Sequence, residues 1–400
     1  MKNNSAPLMG ILLSLSICHC CNDALQAVVT SLYPLIKSEL MLNFVQIGII
    51  TLCYQMSASV LQPLMGLYLD SKPNPWFITL AACFTFAGLV ILAYASSFVS
   101  VICAVILVGT GSSIVHPEAS RLTSLASAGH KGLAQSIFQV GGNLGSSIGP
   151  LLVALITPYG RENTTFIALL AFVGIGASIV IAKWYGSLLK KQRQESGIQT
   201  KRVKLAQPGD PNWIPRPYSN RRTYFYLAVL LILIFSKYVY MASMSSYFTF
   251  FMIDKFALTE QYSQYSLFVF IFSTALGTML GGPIGDRIGR KYVIWASILG
   301  ATPFTLLLPH MGLELTLICS FCAGFMLSSA FPAIVIFAQE LLPNRLGMIS
   351  GLFFGFAFGI AGIAAALWGV YAEAHGIQAV FNIAAYMPIL GAVAILLPRR

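Results

Sequence analysis

Charge is what this sequence has least of. Asp, Glu, Lys and Arg make up 9% of its 400 residues, where soluble domains carry about a quarter; a water-soluble protein is excluded. No Gly-x-x-x-x-Gly-Lys-Ser/Thr loop or other phosphate cradle is present, which argues against ATP as an energy source. No nucleophile or metal-ligand constellation stands out, so an enzyme, a metal centre and a cofactor are not expected. The eight cysteines nearly all fall inside apolar runs, as small hydrophobes rather than a disulfide framework. Cys319-x-x-Cys322 has no second pair, and the adjacent residues Cys18-His19-Cys20-Cys21 point to different faces of a helix, so neither reads as a metal or redox site.

What is abundant is apolar sequence, 57% hydrophobic residues with a mean hydropathy of +0.77. Runs long enough to cross a bilayer, about 20 residues each, recur at 8–35, 44–69, 76–95, 99–125, 133–157 and 164–189, then at 223–252, 262–285, 291–309, 312–338, 346–370 and 377–397. They predict an all-α polytopic membrane protein with twelve transmembrane helices in two six-helix halves. The start resembles a signal peptide, but no small-residue cleavage site follows and the apolar run continues past Asp23 to Leu35, as in a first helix that stays attached. The expected organisation is an N-terminal bundle over 1–189, a basic linker over 190–222 with four prolines, and a C-terminal bundle over 223–400.

The net charge of +11 is a topology signal. All but four of the 24 Lys and Arg fall on one side of this arrangement, ten in the linker region and ten in the termini and the other segments of that side; Lys37, Arg161 and Lys255 fall on the other, and Lys237 lies within a helix. The positive-inside rule then puts both termini in the cytoplasm. Nucleic acid is not needed as a partner; the lipid bilayer is.

The halves repeat at an offset of roughly 215. Gly66-x-x-x-Asp70 matches Gly282-x-x-x-Asp286, Pro117 matches Pro332, and Gly141 and Gly145 match Gly355 and Gly359. Paired repeats of this kind build transporters whose substrate sits between the halves. The run Gly282-x-x-x-Asp286-Arg287-x-Gly289-Arg290-Lys291 is expected in the loop between helices eight and nine, a glycine turn holding Asp286 beside basic residues as a gating latch. Its first-half counterpart keeps Asp70 but has lost the Arg and the second Gly. On helix five, Gly145-x-x-x-Gly149-Pro150 combines a close-packing surface with a helix breaker.

Ionisable groups inside the spans are the candidate site, because each is expensive in lipid and normally faces a wet path. His19 and Asp23 share a helix face, with Asn22 and Gln26 beside them. An isolated carboxylate there must be protonated or paired, as suits a proton carrier, although a purely structural Asp is the alternative. His116 and Glu118 flank Pro117, with Arg121 one turn on. Glu118 is a second proton site and Arg121 an anion contact, unless the two form a permanent pair. Lys237, beside Tyr238 and Tyr240, either binds an anionic substrate or neutralises Asp23 or Glu118 across the halves. Glu340 and Arg345 read as a latch or a solvated pair at the turn after helix ten.

The signature run at 282–291 resembles that of the major facilitator superfamily, and Gly145-x-x-x-Gly149-Pro150 resembles its antiporter motif. Longer stretches resemble the fosmidomycin-resistance exporters within it: GTGSSIVHPEASR (109–121), GLAQSIFQVGGNLGSSIGPLL (132–152), LLILIFSKYVYMAS (230–243) and GDRIGRKYVIW (285–295). That resemblance implies a monomeric, proton-driven exporter of a small phosphonate drug in a bacterial inner membrane. A phosphonate suits Arg121 or Lys237. Uptake of an organic anion by symport, and a membrane sensor that moves nothing, are the alternatives.

Overall fold

The computed structural model describes residues 8–128, 131–196, 217–342 and 346–398. Twelve helical crossings follow one another as hydropathy dictates. In the first half they are α1 (Met9–Ser31), α2 (Phe44–Ser71), α3 (Phe77–Ala93), α4 (Phe98–Ala126), α5 (Lys131–Ile156) and α6 (Leu170–Ser196). In the second they are α7 (Asn220–Phe256), α8 (Glu260–Ile288), α9 (Arg290–Gly300), α10 (Leu313–Leu341), α11 (Leu346–His375) and α12 (Ile377–Ala384). Short helices at Tyr33–Glu39 and Thr164–Ala168 flank α1 and α6; Thr302–Leu307 and the 3-10 stretch Met387–Leu396 prolong α9 and α12. Eleven of the crossings are long and apolar enough to traverse a bilayer, and α3 is a shorter apolar helix. There is no strand among the described residues.

Local chemistry sets several helix starts. Asn43 and Gln46 form a reciprocal capping box ahead of α2, and Ser97 and Ser100 form another ahead of α4. Inside lipid there is no hydrophobic drive to pair helices, so small residues that admit a neighbouring backbone decide who packs on whom. Gly141, Gly145 and Gly149 of α5 lie against Ser16, Cys20 and Ala27 of α1. In the second half Gly277 and Gly281 of α8 lie against Phe325 and Ser329 of α10. Between the halves, α2 packs on α11 and α5 on α8.

One end of the bundle carries the last turns of α6 and the first of α7; it is the linker end. At the far end the halves are stitched together. The Phe44 backbone N–H donates to Glu373 Oε2 at 2.8 Å, Gln264 Nε2 to the Ser31 carbonyl at 2.8 Å, and Gln261 Nε2 to the Ala154 carbonyl at 3.1 Å. Gly48 of α2 abuts Ala365 and Ala366 of α11, and Gly369 of α11 abuts Phe44 and the Tyr247 hydroxyl.

Three local expectations are corrected. Gly282 to Arg287 do not form a loop: they belong to the last turns of α8, which runs to Ile288, and only Gly289 separates it from α9. Glycine ends helices in water, yet inside a packed bundle it promotes close contact, so helical order persists. Pro150 does not break α5, which continues to Ile156; Pro117 and Pro332 likewise lie within α4 and α10. Neighbouring helices and local adjustments re-satisfy the backbone groups a proline frees. Finally, α6 extends to Ser196 and α7 begins at Asn220, so both ends of the expected linker are helical, as their Lys, Gln and Arg content favours. Positions 197–216 of that linker, and Arg345, lie outside the described residues.

Replacing Gly369 with Leu drives a side chain into Phe44 and is expected to cost about 1–3 kcal/mol. It should be read as a lower unfolding midpoint in detergent, with Gly312→Ala, where nothing lies within 4 Å, unchanged.

Candidate functional site

The structure brings His19, Asn22, Asp23 and Gln26 of α1 together with His116 of α4. His19 Nε2 is 3.2 Å from Asp23 Oδ2, and His116 Nε2 is 3.4 Å from Asp23 Oδ1. Asn22 Nδ2 and Gln26 Nε2 donate to Asp23 Oδ1 at 3.1 and 3.4 Å. Tyr54 of α2 donates its hydroxyl to Gln26 Oε1 at 2.8 Å, which extends the network to a third helix.

Both imidazoles are fixed from behind. His19 Nδ1 donates to the Phe138 carbonyl at 2.9 Å while its ring stacks on Phe138, centroids 4.0 Å apart. His116 Nδ1 donates to the Ser112 carbonyl at 3.0 Å. A carbonyl only accepts, so each Nδ1 carries a hydrogen and each Nε2 is turned toward the carboxylate. The His19 ring fits against α5 because residue 142 is glycine: a Cβ there would meet the imidazole directly.

A second cluster lies in the other half. Lys237 of α7 is buried, 4% exposed, and has neither a hydrogen-bond acceptor nor a carboxylate among the described residues. Its ammonium lies 5.0 Å from the ring centroids of both Tyr238 and Phe331, a favourable but partial substitute for a counter-ion. Phe331 and Tyr238 contact Phe354 and Phe358 of α11, closing an aromatic box. Next to Phe358, Gly359 faces the Met56 side chain of α2 across the seam, close enough that an added Cβ would be in van der Waals contact with it. Tyr240 is buried in the second-half core with an unpartnered hydroxyl.

Glu118 and Arg121 pair with each other. Arg121 Nε and Nη2 reach the two carboxylate oxygens at 3.0 and 2.6 Å, and Nη2 also donates to the Tyr185 hydroxyl of α6 at 2.7 Å. Among the described residues this group makes no hydrogen bond or ion pair with Asp23 or Lys237. Nor does Lys237 neutralise either carboxylate. At the linker end, Arg290 pairs with Glu340, and Lys291 donates to the carbonyls of Ile395 and Leu397. Asp70, Gly282, Asp286 and Arg287 are helical, and their side chains are not among those described. Tyr54, Phe138, Gly142, Tyr185, Phe331, Phe354 and Phe358 join these groups without a sequence signal that sets them apart from other apolar or small residues.

Twelve membrane helices in two halves, with buried ionisable groups on each, define a membrane transporter rather than an enzyme. The chain belongs to the Major Facilitator Superfamily, whose family model matches residues 15–273 and again 230–400. Within it, the chain is 49% identical over 391 residues to the fosmidomycin resistance protein of Escherichia coli (strain K12), covering 97% of this chain and 93% of that one, and is a member of that drug-resistance family. It is 36% identical over 389 residues to an uncharacterized MFS-type transporter, YfnC, of Bacillus subtilis (strain 168), covering 97% and 92%. In fold it is similar to the nucleoside transporter NupG, with a TM-score of 0.74 at 15% identity over 96% of this chain and 99% of that one. A bacterial homologue of the lysosomal transporter Spinster, inward-facing and occupied, also gives 0.74, at 14% identity over 96% of both chains.

Gly142→Ala is expected to lose drug resistance to the same degree as His19→Ala, measured as growth of expressing cells on the drug. Gly176→Ala, on an open helix surface, should protect like the unaltered protein.

Proposed function

We propose that the protein exports a small anionic drug of the fosmidomycin class through the inner membrane of a bacterium in exchange for protons. The termini and the linker lie on the cytoplasmic side. The observation that carries this reading is the presence of two incomplete sites: a carboxylate facing two imidazoles in one half, and, in the other, a buried lysine without an anion among the described residues.

An unpaired ammonium in a low-dielectric interior is costly, by several kcal/mol after relaxation. A substrate phosphonate or carboxylate against Lys237 removes that penalty, with Tyr238 and Phe331 flanking it. The triad has the complementary need. With its Nδ1 hydrogens held by carbonyls, it brings two imidazole Nε2 atoms and a carboxylate into hydrogen-bond range, and protons shared among them turn repulsion into attraction. Each site closes with least electrostatic penalty when it holds its own load, a condition for rocking between halves. A gradient supplies the work, about 2.3 kcal/mol per charge per 100 mV.

Direction rests on two supports. The related protein is named for resistance, and a transporter confers resistance by moving the drug out. The far end is stitched by Phe44, Gln261, Gln264 and Glu373, which supports loading of the drug from the linker end, the cytoplasmic side in this reading. Arg121, held by Glu118 and Tyr185, serves as a brace for α4 and α6; Lys237 is the anion contact.

In inside-out vesicles, an acid-inside pH gradient should drive labelled fosmidomycin into the lumen. Asp23→Asn should abolish that accumulation. Lys237→Gln, which removes a charge-assisted contact worth about 1.5–3 kcal/mol, should raise the half-saturating drug concentration by roughly tenfold or more. Unimpaired gradient-driven accumulation by Asp23→Asn would refute the proton assignment. Accumulation only under the opposite gradient would establish symport.

A further inference from the structure

We infer that His19, Asp23 and His116 also form a site for a divalent transition-metal ion of the zinc class. The inference rests on the reading of this triad as a cation-holding site and names a cation other than the proton that it holds. One atom from each residue can be chosen so that all lie within 4.8 Å of one another. His19 Nε2 lies 3.2 Å from Asp23 Oδ2 and His116 Nε2 3.4 Å from Asp23 Oδ1, so each imidazole stands beside its own carboxylate oxygen at about the roughly 3.3 Å that separates two ligands of an ion bonded at about 2.0–2.1 Å, and a small turn of the carboxylate brings one oxygen to serve both.

The surroundings have the form of a second coordination shell. A metal-bound histidine characteristically gives its other ring N–H to a carbonyl or carboxylate, which fixes the tautomer and aims the free lone pair at the ion. Here both do: His19 to the Phe138 carbonyl and His116 to the Ser112 carbonyl. The Asp23 carboxylate is held in turn by Asn22 and Gln26. Two neutral imidazoles arranged this way would otherwise point their lone pairs at a carboxylate, so the geometry demands a positive species among the three atoms. Imidazole nitrogen with a single carboxylate favours zinc, cobalt, nickel or copper over magnesium or calcium, which prefer all-oxygen sites. The His116 side chain is 28% exposed, so the triad is not sealed from water. None of the cysteines takes part. A metal bound here takes the ligands that carry protons, and transport stops while it stays.

The test is cobalt titration of the purified full-length protein in detergent, followed by visible absorption, with zinc as competitor. One Co2+ per chain should give d–d bands that zinc abolishes, and Asp23→Asn and His116→Ala should weaken binding roughly tenfold or more. The double variant Cys319→Ser with Cys322→Ser should keep the bands. His116→Cys, which restores a ligand, should add a thiolate-to-cobalt charge-transfer band that a merely structural role for residue 116 would not produce. Absence of bands in the unaltered protein, or bands that survive in both Asp23→Asn and His116→Ala, overturns the site. Cobalt binding together with undiminished transport by Asp23→Asn would leave the metal site standing and remove the transport reading. Transport lost in Asp23→Asn without cobalt bands would do the reverse.

Discussion

A charge buried in a low-dielectric interior must find a partner or forfeit several kcal/mol, and this protein meets that requirement in unequal ways. Arg161 is fully provided for: Glu39 at 2.7 Å and the carbonyls of Leu92 and Ala95 at 2.9 and 2.6 Å. Glu118 is equally well served by Arg121, with Tyr185 completing the guanidinium's contacts. Both sets are closed within one half, so nothing in them changes when the halves move. Asp23 and Lys237 are provided for differently. One faces groups that need a further positive species to agree with it, and the other, among the described residues, faces only rings. That inequality separates charges closed within the scaffold from charges left open to a further partner.

Helix packing and site chemistry are linked through α5. Its small-residue stripe seats α1, and within that stripe Gly142 leaves room for the His19 ring while the neighbouring turn lends the Phe138 carbonyl and its aromatic face. The contact that holds two helices together therefore also sets the direction of an imidazole nitrogen. A change in the α1–α5 spacing cannot be confined to packing.

The twelve crossings were legible because hydropathy at bilayer length is a strong signal and one solvent rule governs every span. The pairing of His19 with Asp23 was legible from their four-residue spacing, and the Glu118–Arg121 pair from its three-residue spacing. His116 meeting Asp23 was not, because it depends on how α4 crosses α1. The aromatic box around Lys237 is spread over α7, α10 and α11, and phenylalanine is too common in such helices to mark a site. The run at 282–291 misled because glycine and aspartate usually signal a turn, whereas here only Gly289, at φ +94, leaves the helix.

That single glycine leaves α8 and α9 almost no slack. Arg290, immediately beyond it, grips Glu340 at the end of α10, and Lys291 grips the carbonyls of Ile395 and Leu397 near the chain's end. Since α8 is the helix that meets α5 across the seam, any sliding there is passed through a rigid elbow to α9, α10 and the final 3-10 turns. Four segments of the second half are thus tied together around a residue that no side chain could replace without strain.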